Sequence, residues 1–310
     1  MLQIFVNTNY DFVGKRRWFY LASLGAVMIS IVSIVVHGGL DYGIDFTGGT
    51  LIQVRYEKPV TVNHVRRGLD RIQLGTAVIQ QFGDPQEYLV RLPQSERKSD
   101  ELTKAVQGAL SSTGDGGVEI RRVEFVGPQV GRDLQLQALY AVLAGMAGIL
   151  VYVAIRFDYR GGVVSVLALA HDVMVTLGAL SISGREISLP VLAALLTIVG
   201  YSINDTIVVF DRIRETRGRG TRRGPGLAGL INAAINQTLS RTLLTSFTTF
   251  LSAFVLFLFG GEVLRDFAFA LVIGVVTGTY SSVAAAAMIL DWENWSRGKA
   301  RAGGKVPAKA

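Results

Sequence analysis

The sequence predicts an α-helical membrane protein with six transmembrane helices and one external α+β, ferredoxin-like domain between helices 1 and 2. Three observations predict it. Half of the 310 residues are hydrophobic and only 18% are charged, against about a quarter in a soluble domain. The apolar residues gather in six long runs separated by polar segments. The basic excess behind the net charge of +7 sits beside those runs, in alternate loops, where it marks topology rather than nucleic-acid binding. With no cysteine in the chain, disulfide frameworks, thiolate metal sites and cysteine nucleophiles are excluded.

The first run, Trp18 to Val36, follows Lys15, Arg16 and Arg17. A cleavable signal peptide would carry an apolar region of about 7–15 residues and an A-x-A-like site. This run is about 19 residues, long enough to span, and leaves through His37-Gly38-Gly39-Leu40-Asp41. A retained anchor is expected, over residues 1–37.

A polar stretch of domain size follows, over 38–133. Gly48–Tyr56 has the pattern of a strand, and Val62–Leu74 of a helix with Val62, Val65, Leu69 and Ile72 on one face. Ala77–Phe82 and Glu87–Leu92 form a hairpin around Gly83, Asp84 and Pro85. Asp100–Leu110 is a second helix and Val118–Phe125 a last strand. The order β-α-β-β-α-β is that of a split βαβ, with both helices on one face of the sheet.

Five further spans are expected within 134–292, at Leu136–Ile155, Val163–Ser183, Leu189–Phe210, Leu243–Phe259 and Phe267–Leu290, each long or nearly long enough to cross about 30 Å. Lys15 to Arg17, Arg156, Arg160, the loop Arg212–Arg223 and the segment Arg297–Lys305 all fall on one side. The short loops opposite hold only Arg185 with Glu186, and Arg265 with Glu262 and Asp266. Both termini are therefore expected in the cytoplasm, with the arginine loop against anionic lipid. Residues 293–310, rich in Gly, Ala and Lys, are expected to form a disordered tail. One span, an external domain and five more spans is the layout of half a transporter, in which two repeats pack around a midplane site. A partner with the other half is expected.

Ionisable groups inside spans cost about 2.5–3.5 kcal/mol each to insert and mark ion pathways. Three stand out: Asp172 with His171 in the third span, Asp205 in the fourth, and Arg241 at the start of the fifth. Asp172 lies about 14 Å and Asp205 about 8 Å from the cytoplasmic ends of their spans. Leu243–Phe259 reaches only about 26 Å, so its helix must start earlier, which draws Arg241 into the membrane edge and toward the level of Asp205. A nearby cation favours the carboxylate while burial favours the neutral acid, so a small change in helix spacing would load or unload a proton. The plainer alternatives are a neutral Asp205 bonded for packing, a structural hydrogen bond for Asp172, and an Arg241 that snorkels to the interface. His171 has no second histidine or thiol nearby to complete a metal site, and no cofactor is expected. A protease-type dyad of Asp172 and Asp205 has nothing else in its favour.

Asp41–Thr50 is rich in glycine, with Gly43, Gly48 and Gly49. It reads equally as a hinge between membrane and domain or as a tight turn into the first strand. Gly274 and Gly278 are spaced for close helix contact.

Gly43-Ile44-Asp45-Phe46-Thr47-Gly48-Gly49 resembles the hallmark of the SecD/SecF family, a branch of the resistance–nodulation–division superfamily. So do Val199 to Glu215, the stretch Asn236 to Thr249 with Ser240-Arg241-Thr242, and His171-Asp172-Val173. The single short external domain fits the SecF branch rather than SecD, whose external domain is larger. The resemblance implies an inner-membrane accessory subunit of the bacterial Sec preprotein translocase. It would pair with SecD and assist unfolded preprotein through SecYEG on the proton-motive force. By motif, the family's proton-path acid falls on Asp205, with Asn204 beside it, and its basic partner on Arg241; SecD would supply another essential acid. Gly43, Asp45, Phe46, Gly48 and Gly49 carry the motif after the first span. No enzymatic activity and no nucleic-acid partner are implied. The competing readings are half of a proton-coupled exporter of small amphiphiles, and a translocon scaffold that uses no protons.

Overall fold

The computed structural model of the chain describes residues 8–93, 99–112, 117–218 and 226–303. Of the basic side expected from the sequence, Arg219, Arg222, Arg223 and Lys305 lie outside these residues.

The chain opens with α1 (Arg16–Val36) and the single turn α2 (Ile44–Thr47), then builds a domain from β1 (Gly49–Tyr56), α3 (Val62–Asp70), β2 (Val78–Gln81), β3 (Glu87–Leu92), α4 (Ser99–Ser111) and β4 (Val118–Val126). The sheet order is β2-β3-β1-β4, with every neighbouring pair antiparallel. This is the ferredoxin-like arrangement expected of the β-α-β-β-α-β order. Alternate residues of β1 and β3, among them Ile52, Val54, Tyr88 and Val90, face the helices and close the core on Val65, Leu69, Leu102 and Val106. Burial of one strand face and exposure of the other follows from the period of two. A bulge between Gln53 and Val54 leaves Arg121 of β4 without an opposite residue. Helix α3 starts at Thr61, whose hydroxyl accepts from the His64 N–H at 3.3 Å. It ends at Asp70, earlier than the Leu74 expected, because the chain turns through Gln73 at φ 63°.

Five long helices complete the fold: α5 (Pro128–Arg156), α6 (Tyr159–Ile182), α7 (Leu189–Gly218), α8 (Leu227–Phe259) and α9 (Gly261–Gly303). With α1 they make six helices long and apolar enough to cross a membrane among the described residues. The long helices extend beyond the apolar runs that predicted them, and three of their ends bear on the sequence reading. The domain closes at Gly127 rather than near 133, since Pro128 starts α5 in the first helical turn, where its missing N–H costs nothing. Helix α8 begins about 21 Å before Arg241, so the earlier start inferred from the short apolar run is met. Helix α9 runs through Gly303, a correction to the disordered tail expected over 293–310; the remainder of that tail, 304–310, lies outside the described residues. Ala and Lys, taken there as signs of disorder, are also strong helix formers that extend a helix already begun.

The most buried spans are α6, α7 and α9; α1, α5 and α8 flank them and leave most of their surface uncovered. Glycines let α9 approach α7: a Cβ at Gly274 would fall 2.3 Å from Ile198 Cδ1, and one at Gly278 would fall 3.0 Å from the Ser202 Cβ. Before α1, the backbone of Tyr10 to Val13 is held by two amides one turn apart on α8. Asn232 Oδ1 accepts from the Phe12 N–H and Asn236 Oδ1 from the Tyr10 N–H, both at 2.9 Å.

Candidate functional site

The buried stripe of α7 passes through Val191, Ala194, Ile198, Ser202, Asp205 and Val209. All five of these spacings are three or four residues, so the stripe lies on one helical face. In its middle, Ser202, Asp205 and Thr206 replace aliphatic side chains, and all three are under 3% exposed. Polar groups this deep require partners, and the neighbouring helices supply them in two clusters.

The first is centred on Asp172 of α6, which is fully buried. Ser202 of α7 donates to its Oδ2 at 2.6 Å and Ser281 of α9 at 2.7 Å. His171 Nδ1 lies 2.9 Å from Oδ1, and the Thr176 hydroxyl donates to the Asp172 carbonyl. One carboxylate thus ties the three inner helices together.

The second is centred on Asp205, whose Oδ2 accepts from Ser246 of α8 at 3.3 Å. Ser246 Oγ in turn receives the Tyr201 hydroxyl at 3.0 Å and the Thr279 hydroxyl at 2.7 Å. Thr242, one turn before Ser246, has a buried hydroxyl with no hydrogen-bond partner among the described residues. The expected partner of Asp205, Arg241, makes no ion pair with it among the described residues and is exposed on α8. Asn204 is also exposed.

These two exposures belong to a pattern. Thr197, Gly200 and Asn204 on α7, and Arg241, Thr248 and Ser252 on α8, are all uncovered within the spans. Lipid-facing helix surfaces are apolar, and polar groups at this depth face protein or a watery cavity. Asp205 is thus buried next to the exposed Asn204, on a side of α7 and α8 where polar groups stand among apolar ones and no described residue covers them.

The glycine-rich motif after α1 forms the base of the α+β domain. The Gly43 N–H donates to the Ile187 carbonyl at 2.9 Å, and the Ile187 N–H to the Asp41 carbonyl at 2.7 Å. Asp45 Oδ2 accepts from the N–H of Leu189, the first residue of α7, at 2.8 Å. Phe46 is 3% exposed and packs with Leu180, Val191 and Ala270. Gly48 and Gly49 hold φ of 70° and 124°, and a Cβ on Gly49 would meet the Leu92 carbonyl at 2.5 Å. Only glycine meets both demands. Arg91 of β3 pairs with Glu186 and lies 3.8 Å from Asp41. Burial pulls its guanidinium below the ordinary value while Asp41 opposes the shift. Beside the motif, a cavity of about 480 Å³ separates the open sheet face from the ends of α6, α7 and α9.

Two regions of the chain match family models: residues 33–60 match the SecD/SecF GG motif, and residues 105–295 the C-terminal region of the protein export membrane protein SecD/SecF. The chain belongs to the SecD/SecF family. The protein translocase subunit SecF of Magnetococcus marinus is 47% identical over 97% of this chain and 98% of its own length. That of Calditerrivibrio nitroreducens is 45% identical over 89% and 91%. The crystal structure of SecDF from Thermus thermophilus, described as a translocon-associated membrane protein, superposes with a TM-score of 0.82 at 44% identity. It covers 93% of this chain, which spans only 39% of that longer one. A second SecDF structure, in a super-membrane-facing form, gives a TM-score of 0.70. This is thus a SecF-type translocase subunit and a multi-pass membrane protein. Among the described residues, no cluster of His, Cys, Asp and Glu could hold a metal ion.

The sequence reading singled out Asp172, Asp205 and Arg241 but missed Ser202, Ser246, Tyr201, Thr279 and Ser281. Ser202 was within reach: it sits three residues before Asp205, on the same face of one helix.

Proposed function

We propose that this chain is the SecF half of a SecD–SecF pair in the bacterial inner membrane. Its α+β domain faces the periplasm and both termini lie in the cytoplasm. The pair draws on the proton-motive force to assist unfolded preprotein through SecYEG. Asp205 takes up and releases the proton, with Ser246, Tyr201 and Thr279 as its hydrogen-bonded surroundings and Arg241 as the charge that acts on it. Asp172 clasps the inner helices. No chemical reaction is assigned to the chain.

The observation that carries this reading is a buried carboxylate next to an uncovered face of α7 and α8 where polar groups stand among apolar ones. Such a face supports a second half-transporter as its cover, and the seam between two halves is where a midplane ion site belongs. The longer fused relatives support SecD as that half. Arginines on the side of the termini support their cytoplasmic placement. The scale also fits: one charge crossing 100 mV yields about 2.3 kcal/mol. That shifts a two-state equilibrium about fiftyfold, suited to biasing a chain already unfolded.

The test is Asp205→Asn in vesicles containing SecD and SecYEG. The variant is expected to assemble and insert normally while gradient-dependent translocation is lost. Translocation at the parent rate would remove Asp205 from the proton path. The exporter alternative gains nothing from the cavity beside the domain, whose lining mixes Gln53, Gln80, Arg122 and Glu124 with a few apolar groups and so lacks the apolar character such ligands require.

A further inference from the structure

The glycine motif and α7 form one mechanical unit, and its two ends have different tasks. At one end Leu189 receives Asp45 Oδ2 on its N–H at 2.8 Å. The neighbouring Ile187 exchanges two backbone hydrogen bonds with Asp41 and Gly43. Phe46 is wedged among Leu180, Val191, Ala194 and Ala270. From there the chain enters β1 with no spacer, through Gly48 and Gly49 at φ 70° and 124°, where a Cβ on Gly49 would meet the Leu92 carbonyl. At the other end, sixteen residues along α7 from Leu189 to Asp205 and about 24 Å away, lies the buried acid. No proline breaks the helix between Val191 and Asp205, so axial displacement or rotation at one end is carried to the other.

The sheet is therefore held at one edge, by the motif on α7 and α5, where Gln135 donates to the Phe46 carbonyl at 3.0 Å, and by the Arg91–Glu186 pair, while its open face stands off the ends of α6, α7 and α9. The cavity of about 480 Å³ has Gln53, Gln80 and Leu89 on the sheet side and Ser183, Arg185 and Val263 on the helix side. A pinned edge beside an opening is the geometry of a lever with room to close.

We propose that the Asp41–Gly49 segment is the joint by which α7 moves the external domain, with Asp45 as its positioning residue. The Asp45 carboxylate supplies the acceptor that an α7 N-terminus otherwise lacks, and places on the domain's own base the group that must follow the helix. The proposal rests on the reading of Asp205 as a protonating group, and its test separates the two.

Spin labels at Gln80 and Val263 report the width of the cavity in the complex with SecD. Asp205→Asn, which mimics the neutral acid, is expected to shift that distance when Asp45 is present. The shift should vanish with Asp45→Ala and return with Asp45→Asn, whose amide oxygen still accepts from Leu189. In vesicles, Asp45→Ala should keep proton flux while gradient-dependent translocation falls about fivefold, the ratio that one lost helix cap is worth. An unchanged distance response in Asp45→Ala overturns the joint. So does undiminished translocation, or a parallel loss of flux and translocation. If the parent complex shows no gradient-dependent translocation, the transport reading fails instead, and the label distances still decide the joint.

Discussion

Replacing Asp172 with alanine removes the acceptor shared by Ser202 of α7 and Ser281 of α9, at 2.6 and 2.7 Å, and the neighbour of His171 Nδ1. The site is fully buried, so no water takes the place of the lost carboxylate. Part of the loss is recovered, because Ser281 already has the Gly278 carbonyl within 3.2 Å. Disrupting a buried hub of this kind costs about 3–5 kcal/mol. With roughly 2 °C of melting temperature per kcal/mol for a chain of this size, the variant should melt about 6–10 °C lower in detergent. Ser202→Ala and Ser281→Ala should each lose about 1–2 kcal/mol, hence roughly 2–4 °C. Either serine change should have almost no effect once Asp172 is already alanine, because all three share one interaction. Thermal unfolding followed by tryptophan fluorescence or a thiol-free light-scattering assay measures the parent, the three single variants and the two double variants. An Asp172→Ala melting temperature within 2 °C of the parent, or strict additivity with the serine changes, would refute the clasp.

Two other outcomes follow from the domain. Gly49→Ala puts a side chain at φ 124° and 2.5 Å from the Leu92 carbonyl; backbone strain alone costs about 1–3 kcal/mol, and limited proteolysis of the domain should quicken accordingly. Tyr88 is buried and donates to the Val60 carbonyl, and burial raises its phenol above the ordinary value of 10.0. Its contribution is complete below about pH 10 and lost as pH rises through the higher folded value. Tyr88→Phe should therefore flatten the alkaline end of the domain's stability curve, and an unchanged curve would count against that assignment.

Much of the architecture was legible because hydropathy and strand alternation are local. The six spans and the β-α-β-β-α-β order needed only windows of ten to twenty residues. Helix ends outside the apolar window were harder: nothing in a hydropathy scan distinguishes the polar first turns of α8 from a loop. At the site, charge gave Asp172, Asp205 and Arg241 away, since a carboxylate or guanidinium is conspicuous among leucines. Serines are not, because a hydroxyl within an apolar helix satisfies itself on the preceding turn at little cost, and Ser246 and Ser281 carry no mark of their shared partners. Arg241 was expected to reach Asp205, yet the hydrogen bond to its carboxylate comes from Ser246, and Arg241 is exposed. Asp45 was named with the motif but its partner was not legible: a glycine-rich segment announces backbone freedom, whereas the hydrogen bond to Leu189 joins residues 144 positions apart.

The uncovered polar groups on α7 and α8 also bear on how such a subunit survives in a cell. A solitary copy would present Arg241 and Asn204 to acyl chains, an exposure that lipid penalises. Synthesis in step with the partner removes the hazard. Joining both halves in one polypeptide, the arrangement seen in the longer Thermus relative, removes it outright, since the tether keeps the local concentration of the cover in the millimolar range. Gene fusion then becomes a remedy for orphaned chains, independent of any gain in transport rate.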